Sequence, residues 1–145
     1  MVRVEIVLAR LEALDQYLAE LEQLRPLTHD QFVGDLRNHR SAERDLQLAI
    51  QATIDVASHI VAADFPQRPT GYREVIQILG DVDVLPRDLA DRLAAAAGFR
   101  NILIHEYIDV DLDIVYDRLQ SGLDDFRQFS RYVAAYLRRG GALEG

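Results

Sequence analysis

The fold is decided by one stretch, residues 86–107, which reads PRDLADRLAAAAGFRNILIHEY. Its apolar residues recur at every third or fourth position, at Leu89, Leu93, Ala96, Phe99 and Leu103. This is the spacing of one face of an α-helix. Pro86 suits the first turn of a helix, and the run of alanines before Gly98 strongly favours helix. The stretch therefore predicts a helix over about residues 87–106.

The sequence before this stretch predicts two more long helices. Apolar residues at helical spacing indicate a first helix over about residues 2–24, which ends because the residue before Pro26 is pushed out of the α region. A second helix is predicted over about residues 30–63, with Thr28 or Asp30 as its cap and a bend near residues 38–41.

A loop and a short helix connect these elements to the central stretch. Residues 64–71 contain two prolines and a glycine, which is typical of a loop. A short helix is predicted over about residues 71–79, with Thr70 as its cap and Gly80 at its end.

A last long helix is predicted over about residues 111–138, with Asp109 or Asp111 as its cap and Gly140 at its end. No strand pattern with a partner strand is present, and the connections are short. The sequence therefore predicts one all-α domain over residues 1–145, an antiparallel helical bundle of four long helices plus a short one.

The composition excludes several classes of protein. With 145 residues, 49% of them hydrophobic, the chain is long enough to bury a core of its own. The absence of cysteine excludes disulfides and thiolate metal sites. No apolar run approaches the roughly 18 residues of a membrane span, and the N-terminus is unlike a signal peptide. A cytoplasmic protein without membrane contact is expected.

The net charge of −8 weighs against a simple nucleic-acid binder, because phosphate contacts need a basic surface. All 16 basic residues are arginine, however, and the planar guanidinium suits phosphate. The most basic cluster of the first half contains Arg37, His39, Arg40 and Arg44. It is either a solvated helix face or a contact for RNA or a protein partner.

Polar residues are concentrated in the second half of the central stretch, which reads Arg-x4-His-x-Tyr at Arg100, His105 and Tyr107, with Asn101 after the arginine. This motif resembles that of the HEPN superfamily, and in particular its HepT-like branch. These are ribonuclease toxins paired with a minimal nucleotidyltransferase antitoxin of the MntA type. Residues 43–60, 72–74 and 115–126 extend the likeness, in order and separation, over roughly residues 40–130.

The resemblance implies roles for four residues. Arg100 and His105 would form the catalytic pair, and Asn101 matches the polar residue that commonly follows the arginine in this family. Tyr107 matches the tyrosine that the antitoxin adenylylates to silence the toxin. The family also implies a homodimer in which two motifs line a shared cleft.

The chemistry of these side chains agrees with metal-independent RNA cleavage. Histidine exchanges protons near neutral pH, and arginine presents two donors to phosphate oxygens. Such a pair can assist attack of a ribose 2′-OH on the adjacent phosphorus, which leaves a 2′,3′-cyclic phosphate. The expected activity is that of an endoribonuclease toxin acting on tRNA or mRNA, without a cofactor or metal.

The spacing within the motif raises a geometric question. Five residues at about 100° each separate Arg100 and His105 by about 140° around a regular helix. Either the helix ends or distorts near His105, or a second subunit completes the site. Two other interpretations remain: a non-catalytic helical subunit that binds a nucleotidyltransferase, or a structural cluster in which Arg100 pairs with an aspartate.

A second polar pair precedes the motif. Asp55 and His59 are four residues apart and share a helical face. Two ligands make an incomplete metal site, so no metal is expected. The pair is either a polar seam of the bundle, or Asp55 supports the cleft by orienting Arg100 or His105.

Overall fold

A computed structural model describes residues 2–105 and 110–140 of the protein. Within these ranges the chain forms seven α-helices and no strand, which confirms the predicted all-α fold. The helices are α1 (Val4–Leu24), α2 (His29–Gly34), α3 (Leu36–Asp64), α4 (Tyr72–Asp81), α5 (Arg87–His105), α6 (Leu112–Ser121) and α7 (Leu123–Arg139).

The 29-residue helix α3 is the centre of the bundle and packs against each of the other six helices. Its apolar face is buried against the leucines of α1 and the apolar residues of α5 and α7. Leu14, Ile54, Leu93 and Phe129, one from each of these helices, are at most 2% exposed. Because α3 also contacts both α4 and α5, some of its side chains lie next to these two helices.

Two predicted long helices are each divided in two, which corrects the count of four long helices plus one. The predicted bend near residues 38–41 is wrong, because the break lies at Asp35, between α2 and α3. The Asp35 carboxylate accepts hydrogen bonds from the backbone N–H groups of Arg37 and Asn38 and so caps α3. The last helix is interrupted at Gly122, between α6 and α7.

The predicted caps have mixed outcomes. Thr28 caps α2 in a reciprocal arrangement with Gln31, and Asp111 caps α6. The prediction for Thr70 is wrong: Gly71 occupies the cap position of α4, and the Thr70 N–H and hydroxyl both donate to the Glu74 carboxylate, at 2.8 and 2.6 Å. This pair ties the loop to the first turn of α4 and lowers the pKa of Glu74.

Gly80 does not end its helix as predicted, since α4 continues to Asp81. The glycine is needed for packing instead. A Cβ atom at Gly80 would lie 2.8 Å from the Ala90 Cβ of α5, closer than carbon atoms can approach. The missing side chain therefore lets α4 pack tightly against α5, the helix that carries the motif.

Among the described residues, α3 is the one helix whose length and composition would allow it to cross a membrane. Its apolar window is 56% buried inside the bundle, as expected for a core helix.

Candidate functional site

Arg100 lies where three helices meet. It projects from α5, and its Nε donates a hydrogen bond of 2.5 Å to Oε1 of Gln51 on α3. Its guanidinium carbon lies 4.9 Å from the centre of the Tyr72 ring at the start of α4, a cation–π contact. One Nη atom also lies 3.5 Å from the side-chain oxygen of Asn101. The arginine is thus held from two sides and is only partly buried.

The Gln51 side chain connects Arg100 to Asp55. While its carbonyl oxygen accepts from Arg100, its amide nitrogen donates to Oδ1 of Asp55, one turn further along α3, at 2.8 Å. An ionised carboxylate can only accept hydrogen bonds, so Asp55 determines which end of the amide points to Arg100. Asp55 therefore lies one hydrogen-bonded side chain away from the motif arginine, without contacting it directly.

The partners of Arg100 among the described residues are neutral. No carboxylate within residues 2–105 and 110–140 pairs with its guanidinium, so no described aspartate supports the interpretation in which Arg100 pairs with an aspartate. By contrast, Arg25, Arg87, Arg92 and Arg127 each form a salt bridge with an aspartate or glutamate. Gln51 and Tyr72 therefore fix Arg100 without neutralising its positive charge.

A groove runs beside Arg100 between α4 and α5. Its lining residues include Tyr72, Arg73, Gly98 and Asn101. The Arg73 Cδ would lie 3.6 Å from a Cβ at Gly98, so the arginine stem packs over the glycine. Asn101 is exposed at the opposite wall. The predicted site residue Asn101 thus lines this groove, and Arg100 contacts it through the Tyr72 ring.

The structure describes only the backbone of His105 and does not describe Tyr107. His105 is the last residue of α5, one helical turn after Asn101, and its side chain is outside the description. Tyr107 lies outside the described residues altogether. A helical rise of about 1.5 Å per residue puts the backbone of His105 about 7.5 Å beyond Arg100 along α5.

Part of the basic cluster lies near the same end of α5. Arg40 and Arg44, both exposed and one turn apart on α3, line a second groove with Leu103 of α5 and Val110. His39 instead lies beside Glu43, with its Nδ1 3.2 Å from a carboxylate oxygen. Two arginines of the cluster are therefore neighbours of the segment that carries the motif.

Asp55 and His59 bind different partners and do not form a common site for a metal. Asp55 binds Gln51, whereas Nε2 of His59 accepts from the backbone N–H of Arg3 at 3.0 Å. No group of three or more histidine, aspartate or glutamate side chains able to hold a metal occurs among the described residues.

Sequence reasoning missed Gln51 as a site residue and gave Tyr72 no role of its own. A signal for Gln51 was present, because it precedes Asp55 by four residues and the two must therefore share a helical face. Tyr72 gave no such signal, since its approach to Arg100 depends on how α4 packs against α5.

Known proteins resemble this chain over most of its length. The sequence model of the HepT-like ribonucleases matches residues 14–133. A tRNA nuclease HepT of Aphanizomenon flos-aquae is 30% identical over 132 residues, which cover 91% of this chain and 90% of that protein. An mRNA nuclease HepT of Shewanella oneidensis is 28% identical over 131 residues, 90% of this chain and 98% of that one.

A solved structure agrees with these sequences. The tri-AMPylated HEPN toxin of Shewanella oneidensis, in complex with its MNT antitoxin, superimposes with a TM-score of 0.82 at 28% identity. The match covers 90% of this chain and 97% of the toxin. The family match over residues 14–133 and these relatives confirm the resemblance inferred from the motif: the chain belongs to the HepT-like ribonuclease family.

Proposed function

We propose that the protein is a metal-independent endoribonuclease toxin that cleaves RNA with Arg100 and His105. The observation that carries the proposal is the position of Arg100, which is fixed by Gln51 and Tyr72 but has no described carboxylate partner. A cation held in this way, at a solvent-facing site on the helix that ends in His105, suits the stabilisation of a phosphate in which negative charge increases.

The proposed reaction is an internal transesterification. The ribose 2′-oxygen forms a bond to the adjacent phosphorus, and the bond from phosphorus to the 5′-oxygen of the next nucleotide breaks. His105 exchanges a proton with one of these two oxygens, since its ordinary pKa of about 6.5 allows both directions of transfer. Arg100 donates hydrogen bonds to the phosphate oxygens, with Asn101 as a further neutral donor. The products are a 2′,3′-cyclic phosphate and a free 5′-hydroxyl.

The relatives indicate both substrate and setting. Their names specify tRNA in one case and mRNA in the other, so single-stranded regions of cellular RNA are the proposed substrate class. The reaction uses amino-acid side chains alone, so no metal or cofactor is required. The proposed setting is the cytoplasm, where both RNA types are found.

A nucleotidyltransferase antitoxin of the MntA type is the proposed partner. In the proposed silencing reaction, the Tyr107 oxygen attacks the α-phosphorus of ATP and pyrophosphate leaves. The related toxin that is tri-AMPylated in complex with its antitoxin supports this assignment. Each added phosphate places negative charge two residues from His105, where it repels an RNA backbone.

The active form is proposed to be a homodimer that brings two motifs together. Large apolar side chains left exposed support such an assembly, including Ile102 and Ile114, which are 40% and 42% exposed. Light scattering measures the mass directly. Mixing Arg100→Ala chains with His105→Ala chains then tests the arrangement: recovered cleavage assigns the two groups to different subunits, and no recovery assigns them to one.

The decisive experiment is cleavage of total cellular RNA in the presence of EDTA. Wild-type protein, shown by mass spectrometry to carry no AMP, is compared with His105→Ala and with Arg100→Gln. Cleavage by the wild type alone, with cyclic-phosphate ends, is the expected result. Absence of cleavage by the unmodified wild type would instead favour a non-catalytic subunit that binds a nucleotidyltransferase.

A further inference from the structure

The groove between α4 and α5 has properties that the proposed chemistry does not use. Its volume is about 440 Å³, within the range of about 300–1,000 Å³ typical of sites for small ligands. It begins at Tyr72 and Arg73, beside Arg100, and extends past Gly98 to Asn101. The next residue on that face of α5, one turn later, is His105. The groove thus begins at the ring that Arg100 contacts and ends, at Asn101, one helical turn before the motif histidine.

An aromatic ring lies at the mouth of this groove. Tyr72 is 45% exposed, so part of its side chain is open to solvent. Arg100 covers one face of the ring, with the guanidinium 4.9 Å from its centre. A planar base can stack on the other face, and stacking of this kind tolerates every base because each has a π-surface.

The polar groups around the groove suit the rest of a nucleotide. Arg73 is exposed and forms no salt bridge with a carboxylate of the described ranges, so it is free to meet a phosphate. The Asn101 and Gln77 amides, both exposed, can donate to and accept from a base edge or a ribose hydroxyl. The one carboxylate in the groove, that of Glu74, already accepts two hydrogen bonds from Thr70.

We infer that this groove binds one nucleotide of single-stranded RNA next to the phosphate that Arg100 contacts. Its base stacks on Tyr72 and its own phosphate lies at Arg73. The inference rests on the proposed ribonuclease function, since Arg100 is taken as the anchor of the scissile phosphate. It also explains how an acidic protein holds RNA, because stacking adds affinity that does not depend on net charge.

The test is a binding measurement in which no cleavage takes place. All variants are made in the His105→Ala chain, and the probe is a fluorescein-labelled RNA octamer of mixed sequence, followed by anisotropy. Tyr72→Leu is expected to raise the Kd about tenfold, the size of effect found for loss of a base–aromatic stack, whereas Tyr72→Phe should bind as before. Tyr132→Leu, which removes an exposed tyrosine from α7, is the matched control.

A second variant separates stacking from the support that Tyr72 gives to Arg100. Gly98→Leu fills the groove and displaces the Arg73 stem that packs over Gly98, but it changes neither Tyr72 nor Arg100. It is expected to weaken binding at least fivefold while Arg100 stays in place. Unchanged affinity in both Tyr72→Leu and Gly98→Leu would overturn the inference.

The binding test of the groove and the cleavage test of the ribonuclease can fail separately. Loss of binding in the groove variants supports the nucleotide site even where the unmodified wild type cleaves no RNA, a result that would contradict only the proposed ribonuclease. Conversely, cleavage that depends on His105, combined with normal binding in both groove variants, would support the ribonuclease and reject this site.

Discussion

Gln51 and Arg100 are joined by a 2.5 Å hydrogen bond between the central helix α3 and the motif helix α5. The two residues are 49 positions apart in the chain, and the contact links the residue proposed to bind the phosphate to the helix that packs against all the others. Since Asp55 orients the Gln51 amide, the direction in which Arg100 points is determined by α3 rather than by α5 alone.

Replacing Gln51 by leucine should reduce activity without unfolding the protein. The substitution keeps the size of the side chain but removes the acceptor for Arg100 Nε, so the guanidinium is no longer fixed. Small misplacements of catalytic groups cost up to about 100-fold in rate, and we expect kcat/KM for RNA cleavage to fall about 10- to 100-fold. The melting temperature should change by no more than a few degrees.

Gln128→Leu provides the matched control for this measurement. Gln128 donates to Asp124, four residues earlier on α7, with the same spacing as Gln51 and Asp55 but in the opposite direction along the helix. Its loss should leave cleavage unchanged. Equal activity of Gln51→Leu and Gln128→Leu would show that the contact with Arg100 has no part in catalysis.

Replacing Asp55 should have a weaker effect through the same contact. In Asp55→Ala the Gln51 amide can rotate and present its NH₂ group to Arg100, where two donors face each other. We expect a loss of about three- to tenfold in kcat/KM, and a smaller one in Asp55→Asn, whose carbonyl still accepts. The double variant with Gln51→Leu should be no worse than Gln51→Leu alone, because both changes act on one contact. Additive losses would place Asp55 in a separate role.

The elements that could be predicted from the sequence are those governed by local spacing. The stretch 86–107 predicted α5 with its observed first residue, Arg87, because alanines and regularly spaced leucines determine a helix locally. The break at Asp35 was predicted too late in the chain, since it depends on the cap that the Asp35 carboxylate forms. The break at Gly122 was missed, since its backbone angles are still near-helical and no side chain caps α7.

The site shows the same division. Arg100 and Asp55 were predicted from residue type and spacing and Asn101 from the family resemblance, but the link between Arg100 and Asp55 requires α3 and α5 to be side by side. Nothing local in the sequence indicates that Tyr72 reaches Arg100, because their contact depends on the close approach of α4 and α5 at Gly80. Long-range packing, unlike helix formation, is determined by many residues together.

Arg40 and Arg44 are expected to contribute to RNA affinity through charge alone. They lie on α3 beside Leu103, near the end of the motif helix. Each phosphate contact with single-stranded nucleic acid adds about 0.7 to the slope of log K against log salt, so the double variant Arg40→Gln/Arg44→Gln should lower that slope by about 1.4. The double variant Arg131→Gln/Arg138→Gln, with the same change of charge on exposed positions of α7, should leave it unchanged. Equal slopes in both variants would assign Arg40 and Arg44 to the solvated face.

Gly80→Ala should destabilise the protein by separating α4 from α5. The added Cβ would lie 2.8 Å from that of Ala90, and neither atom can move without its helix. We expect a loss of about 1–3 kcal/mol in the free energy of unfolding by urea, as found for overpacked cores. Gly34→Ala is the control, because nothing lies within 4 Å of a Cβ there. If α4 is displaced, Tyr72 shifts with it, so Gly80→Ala should also lower cleavage activity.

Asp45→Asn should stabilise the protein, and more at pH 8 than at pH 5. Asp45 is 8% exposed on α3, and burial together with a hydrogen bond to Glu20 of α1 raises its pKa to about 7. The folded state therefore favours the protonated acid, so ionisation destabilises the fold increasingly as pH rises from about 4 to about 7. Asparagine resembles the protonated acid at every pH. One pKa unit corresponds to about 1.4 kcal/mol of stability. Solvent at the exposed Glu20 screens its repulsion of the Asp45 carboxylate. We therefore expect the free energy of unfolding to rise by roughly 1–2 kcal/mol at pH 8. Urea unfolding at both pH values measures it, and a gain that is the same at pH 5 and pH 8 would contradict the raised pKa.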